Sequence, residues 1–536
     1  MSGLVSSLGF LLTISLAQTP TVSEGLRMRI VQLFDAPATN VLGARLLRPD
    51  AVSHFFQGRN FQPAWDNARA RAIVVAIRGI EQDGLSPRDY HLAPLEAALS
   101  SIDTATPTAR VDLEILLTDA VAALIDHVRF GKVRPVTLDR RWNVDPRAGT
   151  PPLETFVAEV AAAPSVNEGI DALKPSHFIY RGLKDQLAAR RLDVARGGWP
   201  ALPAGPTLKP GTTDARVTVL RRRLAASGDL ASPEGSQEYD DALVESVKRF
   251  QERHRLTADG VIGPATLAAM NVSAGARVDQ VRVNLERARW VVGGLSDSFV
   301  LVNLPAFKTY LIRDRKNVWE TRAQVGRAGR QTPSFRADMQ YLVFNPDWTV
   351  PPTIASQDVI APMRRGDNAI ARKRLMIFDR QGRRVSPDAI DWASASRRNF
   401  PYTLRQAPGP DNALGRVKFI FPNEHSIFLH DTPSRELFSA DERMFSSGCI
   451  RVENPLDFAA KLLEGEEGWD AESIQQAVAS GKTETVFLKT PLPVLIVYWT
   501  VSVGAAGESR YARDVYSLDG RLRRALDAPT ATSTVS

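Results

Sequence analysis

Cysteine is nearly absent from this sequence, because Cys449 is the only one among 536 residues. A single cysteine cannot form a disulfide within the chain, so disulfides are excluded as a source of stability for the fold. A lone thiol is often a buried, inert side chain that packs as a small apolar group. In a protein exported to an oxidising compartment, an unpaired thiol is easier to explain if it takes part in a reaction.

Long apolar stretches and nucleic-acid-binding patterns are also missing. Outside the N-terminal run described next, no segment approaches the length needed to span a membrane. The net charge of +7 is small for 536 residues and would suit an acidic polymer, but no basic helix is interleaved with aromatic residues. The histidines are scattered without metal-ligand spacing. We therefore predict no metal, no cofactor and no nucleic acid partner.

The one clearly apolar run lies at the N-terminus, where residues 8–17 read LGFLLTISLA. The run ends in a small-x-small pattern, which predicts a secretory signal peptide over residues 1–17 and hence a periplasmic or cell-envelope protein. No Lys or Arg precedes the run. An uncleaved anchor, which would hold the protein near a membrane, and a start site placed too late are therefore the alternatives.

The strongest signal for chemistry surrounds Cys449. A short strand is predicted at residues 427–429, leading into His430 nineteen positions before Cys449, and it places Phe428 and His430 on one face. A second short strand begins at Cys449 and puts Arg451 on the same face as the thiol. Gly448 allows a sharp turn ahead of this strand, and its small neighbours leave the sulfur approachable. The two strands are predicted to bring a thiol, an imidazole and a guanidinium together.

These residue types suit nucleophilic catalysis. The thiolate is the strong nucleophile, whereas free cysteine, with a pKa of about 8.5, is mostly thiol at neutral pH. The imidazole of His430 can accept the thiol proton, and Arg451 would favour the resulting negative charge. We therefore expect Cys449 to titrate below the pKa of free cysteine. The sequence does not identify the group that orients the imidazole; a backbone carbonyl near Asp431 is one option.

The segments HDTP, at residues 430–433, and SSGC, at residues 446–449, resemble the active-site motif of the L,D-transpeptidases, the YkuD-type catalytic domain. In the commoner motif a second His occupies the position of Ser447. With Ser at this position, the sequence resembles the long, multidomain YcbB-like branch of the family. The resemblance implies that Cys449 is the acyl-accepting nucleophile and that His430 is its base.

The resemblance also implies roles for the neighbouring residues. The backbone N–H groups of Gly448 and Cys449 would form an oxyanion hole, and Arg451 would contact a substrate carboxylate. Ser447 and Phe428 are further candidates for substrate binding beside them.

A chain of 536 residues is too long for one core and predicts several domains. Helical spacing over residues 113–128 indicates a helical scaffold, and VKRFQERHRLTADGVIGPATLAAMN resembles a small three-helix peptidoglycan-binding domain. A period of two from residue 299 onward indicates a sheet. The predicted fold class is multidomain α+β, with a signal peptide over 1–17, a helical N-terminal scaffold over 18–206, a peptidoglycan-binding-like domain over 207–273, a linking helix over 274–296, a mainly-β L,D-transpeptidase catalytic domain over 297–505, and a C-terminal helix with a disordered tail over 506–536.

Residues 353–414 interrupt the sheet pattern with a polar, Arg-rich stretch. Long excursions in a compact domain are often lids or binding loops, and in the resembling branch a capping subdomain occupies this place. Residues 345–352 resemble the pocket wall of that branch, which makes Trp348 a candidate substrate contact, although large aromatic residues usually belong to the core. Strands are predicted at 299–304, 309–312, 341–344, 416–421, 483–488 and 494–503.

The resemblance implies acyl transfer between a donor and an acceptor stem peptide of peptidoglycan. The acyl group would come from the L-centre of the third residue of the donor, and the terminal D-alanine would leave. With water as the acceptor, the protein would be an L,D-carboxypeptidase. With a free D-amino acid as the acceptor it would exchange the terminal residue, and with a lipoprotein lysine as the acceptor it would attach the lipoprotein to the stem peptide. The alternative outside this chemistry is a non-catalytic wall-binding scaffold with an incidental cysteine.

Overall fold

The computed structural model describes residues 20–35, 40–504 and 507–531, so the predicted signal peptide and nearly all of the predicted disordered tail lie outside the described residues. The chain forms two compact units. The first contains the chain up to residue 132, residues 149–174 and the chain from residue 528. The second contains residues 133–148 and 175–527.

The first unit is built around one long helix, Pro107–Phe130, which is buried along most of its length. The hydroxyl of Thr106 caps its N-terminus by accepting the Ala109 N–H. Inside the helix, the buried carboxylate of Asp119 accepts the Leu47 N–H at 2.8 Å and so fixes a neighbouring loop. The surrounding helices are Val22–Asp35, Pro49–Gly58, Asn67–Gly79, Leu92–Leu99, Leu153–Ala162 and Val166–Leu173, and Asn40–Val41 pairs with Ala44–Arg45 as a small hairpin.

The second unit begins with helices, and the predicted three-helix pattern is present in it. Asp240 caps the second of the three by accepting the Leu243 N–H at 2.9 Å, and their shared core includes Leu220, Val247 and Phe250. The helices of this part are Phe178–Ala195, Arg216–Ala226, Asp241–Arg253, Pro264–Met270 and Ala274–Arg289.

A nine-stranded sheet follows, and it closes on itself because strand Lys308–Arg313 pairs with both of its chain neighbours. Helices Pro455–Leu462 and Ala471–Ala479 contribute Phe458, Leu462 and Ile474 to the core of the sheet. Its strands are Phe299–Asn303, Lys308–Arg313, Lys316–Gly326, Phe335–Phe344, Val417–Ile420, Leu429–His430, Met444–Ser446, Ile450–Val452 and Glu484–Val497.

The predicted insertion is a folded subdomain with a core of its own, formed by Val359, Ile370, Ile377 and Leu404 among others. It begins with strand Trp348–Thr349, slightly earlier than predicted. Its remaining strands are Met376–Phe378, Arg384–Val385 and Thr403–Gln406, and its helical segments are Pro352–Ala355, a π-helical turn at Ser356–Ile360, Ala361–Arg364 and Ala369–Arg372.

The second unit ends with strands Val501–Val503 and Ser509–Tyr511 and with helix Asp519–Asp527, close to the predicted C-terminal helix. Among the described residues, no helix combines the length and the apolar character that crossing a membrane requires.

The predicted fold class, multidomain α+β, is confirmed: a helical N-terminal region, a small three-helix bundle and a mainly-β domain with an inserted subdomain. Residues 133–148 and 175–206, which lie within the predicted scaffold, group with the second unit by their contacts. Close packing of helix Phe178–Ala195 explains this: a Cβ added at Gly182 would lie 2.6 Å from the Val503 side chain. The glycine therefore lets this helix pack closely against strand Val501–Val503 of the same unit.

Candidate active site

The strand that ends at His430 and the strand that follows Cys449 lie side by side. Leu429–His430 runs parallel to Ile450–Val452, with Leu429 opposite Ile450 and His430 opposite Arg451. Leu429 and Ile450 are fully buried in the core of the sheet. Because side chains alternate along a strand, His430 and Arg451 share the other face.

The imidazole of His430 has a defined orientation. Its Nδ1 lies 2.5 Å from the carbonyl oxygen of Asp431, and a carbonyl can only accept, so Nδ1 carries the proton and Nε2 is the basic nitrogen. Burial, helped by the nearby Arg451 charge, lowers the pKa of His430 to about 3. The imidazole is therefore neutral at physiological pH with a lone pair on Nε2, and the low pKa makes it a weak base in the resting site.

Asp431 is itself held rigidly. Its N–H donates to Val417 O at 2.9 Å, and its carboxylate accepts the Arg416 N–H at 2.9 Å and a bond from Arg435 at 3.1 Å. Gly415 passes so close that an added Cβ would lie 2.4 Å from the carboxylate. These contacts of Asp431 therefore fix the position of its carbonyl, which orients the imidazole.

The loop before the thiol is held by hydroxyl groups. The Ser446 hydroxyl donates to Cys449 O at 2.5 Å and accepts the Gly448 N–H at 3.1 Å. Gly448 has φ +125°, a conformation that favours glycine, and its carbonyl accepts the Thr332 hydroxyl at 2.7 Å. The Gly448 N–H is therefore engaged, whereas the Cys449 N–H has no hydrogen-bond partner among the described residues.

The thiol of Cys449 donates to the carbonyl oxygen of Ser426, with 3.7 Å between Sγ and oxygen. The residue keeps some solvent exposure, but the protein packed around the thiol raises its pKa to about 11. The Phe428 N–H and the Arg451 charge oppose this shift and are outweighed. Within the described chain, no hydrogen bond joins the sulfur to His430. Because the pKa of the thiol lies above neutral pH and that of the imidazole below it, the resting pair is a neutral thiol and a neutral imidazole.

Arg451 is a half-buried cation with a donor to spare. One Nη donates to Gln324 Oε1 at 3.1 Å, while Nε is buried and makes no hydrogen bond within the described part of the chain. No carboxylate among the described residues forms an ion pair with it. Burial accordingly lowers its pKa, and the guanidinium is suited to binding an anionic group from outside the chain.

Ser447 connects the loop of the thiol to the insertion. Its hydroxyl accepts a hydrogen bond at 2.7 Å from Arg330. The same guanidinium forms two bonds, of 2.7 and 2.9 Å, with the carboxylate of Asp358 on the π-helical turn of the insertion. No signal in the sequence pointed to Arg330 or Asp358, because they come together only in the fold.

The two aromatic candidates lie in different places. The ring of Phe428 is 5.6 Å from the His430 ring, so it belongs to the same site. Trp348 packs partly buried against the core of the insertion and lies opposite Gln406 in the strand register. Among the described residues, no hydrogen bond or ring contact joins it to Cys449 or His430.

A separate cavity of about 460 Å³ borders the turn that precedes Ser426. Asn423 shapes this turn by accepting the N–H groups of His425 and Ile427. The cavity is lined by Asn143, Phe335, Arg336, Asp338, Glu424 and His425, among others. The thiol and His430 are outside it. No group of His, Cys, Asp and Glu among the described residues could hold a metal ion.

Comparison with known proteins adds to this geometry. Residues 297–486 match the YkuD family model, described as the L,D-transpeptidase catalytic domain. This segment is therefore similar to the L,D-transpeptidase catalytic domain. Residues 213–270 match a model described as "Putative peptidoglycan binding domain", and residues 50–187 match one described as a scaffold domain. The thiol site and most of the nine-stranded sheet therefore lie within the first of these three matches.

A protein of Haemophilus influenzae named "Putative L,D-transpeptidase" is 36% identical over 226 residues. The alignment covers 42% of this chain and 45% of that protein, so the chain spans less than half of its length. Two L,D-transpeptidase crystal structures also match. The one from Xylanimonas cellulosilytica has a TM-score of 0.19, 16% identity and coverage of 55% of this chain and 99% of its own. The one from Stackebrandtia nassauensis has a TM-score of 0.20, 14% identity and coverage of 55% and 97%.

Proposed function

We propose that this protein is a peptidoglycan L,D-transpeptidase that cross-links stem peptides through a thioester on Cys449. One observation carries the proposal: His430, with Nδ1 bonded to a carbonyl and Nε2 free to take a proton, lies in a strand paired with the strand that follows Cys449. The matches to a transpeptidase catalytic domain and to a peptidoglycan-binding domain support the choice of polymer.

The first half-reaction acylates the thiol. As Cys449 Sγ attacks the carbonyl carbon at the L-centre of the third donor residue, its proton passes to His430 Nε2. The S–C bond forms and the carbonyl π electrons move onto the oxygen. The Cys449 N–H, which has no other partner among the described residues, would stabilise this oxyanion.

The tetrahedral intermediate then collapses. The C–N bond to the terminal D-alanine breaks, and the imidazolium of His430 gives its proton to the departing amine. The acyl group remains on sulfur as a thioester. In the second half-reaction the acceptor amine attacks the thioester and loses its proton to His430. The C–S bond breaks, and the imidazolium returns the proton to the thiolate.

Arg451 would recognise a carboxylate on the stem peptide. The guanidinium is half-buried and keeps an Nε donor without a partner among the described residues. A charged acceptor in a site of low dielectric would be bound strongly. The peptidoglycan-acting domains favour the cell envelope as the place of action, and export by residues 1–17 is part of the proposal.

Hydrolysis of the same thioester would give an L,D-carboxypeptidase, and a free D-amino acid as acceptor would give exchange. Both use the same residues and differ only in the acceptor. A non-catalytic wall-binding scaffold is disfavoured because a basic imidazole nitrogen, an available backbone N–H and a half-buried guanidinium surround the one thiol.

Mass spectrometry of products from purified tetrapeptide muropeptides would test the proposal. With the wild type we expect a dimer that lacks one D-alanine. Cys449→Ala and the near-isosteric Cys449→Ser should both be inactive while melting like the wild type. Tripeptide monomer alone would indicate carboxypeptidase activity, and a dimer formed equally by the variants would reject the thioester.

A further inference from the structure

Four arginine side chains lie close together in the second unit, in a part of the sequence distant from Cys449. We call Arg190, Arg223, Arg253 and Arg277 the cationic cluster; each comes from a different helix. The helices are Phe178–Ala195, Arg216–Ala226, Asp241–Arg253 and Ala274–Arg289.

Aromatic rings join the members of the cluster into one site. The guanidinium carbons of Arg223 and Arg190 lie 4.2 and 5.4 Å from the centre of the Trp199 ring. The guanidinium carbon of Arg277 lies 4.5 Å from the Tyr511 ring. His254 stacks 5.3 Å from Tyr511 on one side and 3.8 Å from Phe250 on the other. Arg223 in turn lies 5.7 Å from that phenyl ring, which closes the chain of contacts.

The cluster buries more positive than negative charge. Arg223 is 1% exposed and Arg277 5% exposed. Burial, together with repulsion from the other arginines, lowers the pKa of each to about 10, so both remain charged at neutral pH. The carboxylates that pair with the cluster within the described residues are Asp229, 2.6 Å from Arg253, and Asp193, 3.0 Å from Arg190. Burial keeps the adjacent His254 neutral, because its pKa is well below the ordinary value.

The cluster also has more donors than acceptors. Arg223 Nε donates to Met270 O at 2.8 Å, and Arg277 donates to Gln280 at 2.6 Å. Several other buried donors make no hydrogen bond within the described part of the chain: Arg223 Nη1, Arg253 Nε, Arg277 Nε, Trp199 Nε1 and the Tyr511 hydroxyl. Buried donors and buried charge without partners are both costly, and a ligand that supplies acceptors and negative charge offsets both costs.

We propose that the cationic cluster is a binding site for a small oxyanion of the phosphate type. Such a group presents several acceptor oxygens and a negative charge, which complement guanidinium donors. The near-complete burial of Arg223 and Arg277 fits a group of a few atoms and not a polymer strand. When bound, the anion links the peptidoglycan-binding-like bundle to helices Phe178–Ala195 and Ala274–Arg289. The proposal is independent of the chemistry at Cys449.

Thermal unfolding of the full chain in sodium phosphate, compared with sodium chloride of equal ionic strength, would test this site. A ligand that binds only the folded state raises Tm with its concentration. We expect a saturable rise of a few degrees in phosphate, and one binding site by calorimetric titration with inorganic phosphate. Equal melting temperatures in the two salts, with no heat of binding, would overturn the proposal.

Two variants locate the effect. Arg277→Met removes one buried charge of the cluster and should abolish the phosphate-dependent rise in Tm. Arg222→Met, at an exposed position of the helix that carries Arg223, should retain it. The same rise in both variants would reject the cationic cluster as the site. If Arg277→Met does not fold, a competition experiment with the wild type takes its place. Displacement of inorganic phosphate by phenyl phosphate indicates a site for a phosphate group on a larger ligand. Failure of phenyl phosphate to displace it indicates a site for the free ion.

Discussion

Cys449 and His430 are both uncharged in the resting site. The thiol has a pKa of about 11 and the imidazole a pKa of about 3, so both are neutral between these values. The sequence-based expectation of a thiol more acidic than free cysteine is wrong in direction, because burial outweighs the attraction of Arg451. The proton is therefore expected to leave the sulfur during attack and not before it.

Alkylation of Cys449 measures this directly, because the chain contains no other thiol. Only the thiolate reacts, and below a thiol's pKa the thiolate fraction rises roughly tenfold per pH unit. With iodoacetamide, the rate constant should climb steadily from neutral pH toward pH 10 without levelling off. A plateau that begins near the free-cysteine value of about 8.5 would contradict the burial argument.

Arg451 variants give the control for that titration. The guanidinium charge lowers the pKa of the thiol, so Arg451→Met should slow alkylation at every pH below the plateau. Arg451→Lys retains the charge and should stay closer to the wild type.

The sequence predicts Cys449 and His430 as nucleophile and base, roles that stay predictions, but it does not single out the groups that hold these side chains. His430 and Cys449 are visible because few residue types can act as base and nucleophile. The group that orients the imidazole is the carbonyl of Asp431, and the acceptor of the thiol is the carbonyl of Ser426. A backbone carbonyl near Asp431 was one of the options that the sequence left open, but every residue has a carbonyl, so no pattern of residue types singles out these two. Thr332, which fixes Gly448, is distant in the chain and meets it only in the fold.

At the scale of elements, the insertion is tied to the loop of the thiol through one arginine. Arg330 is largely buried and bonds both Ser447 and the carboxylate of Asp358. Asp358 lies on a π-helical turn, a local deviation that is frequent at functional sites. We infer that this contact fixes the position of the insertion relative to the loop that carries the thiol.

Asp358→Asn tests the contact while keeping the shape of the side chain. Hydrogen bonds to charged groups contribute about 1.5–3 kcal/mol, so loosening this one should reduce kcat/KM roughly tenfold or more with little change in Tm. Asp367→Asn is the matched control, since Asp367 pairs with Arg372 on an exposed part of the insertion. Steady-state kinetics on muropeptides would compare them, and equal activity of both variants would show that the contact does not support turnover.

Strands were predicted best where apolar residues alternate cleanly. Strand Lys316–Gly326 was not predicted, because its first half is exposed and its second half is buried on both faces. Strand Glu484–Val497 was predicted as two pieces. It contains Pro491 and Pro493, which normally exclude a residue from a ladder. The strand continues because its pairing shifts register between Phe487 and Leu492.

At the scale of the whole molecule, helix Ala274–Arg289 joins distant parts of the second unit. The buried carboxylate of Glu286 pairs with Arg289 at 2.9 Å and accepts the Val133 N–H at 2.6 Å. Arg289 donates to the Tyr180 hydroxyl at 3.0 Å. The sequence indicated a linking helix here, but a helical pattern does not reveal which distant segments its buried charges contact. This network explains why residues 133–148 group with the second unit.

Glu286→Gln should therefore destabilise the second unit as a whole. It removes the carboxylate that offsets the Arg289 charge, and both side chains are at most 1% exposed. Loss of one partner of a buried ion pair costs about 3–5 kcal/mol, so calorimetry should show a clear fall in the Tm of the second unit. Glu286→Gln combined with Arg289→Met removes both charges and should recover much of the loss, because the buried cation is gone. If the double variant melts no higher than the single one, the charge of Arg289 is not the cause, and the bond from Val133 to Glu286 would account for the stability instead.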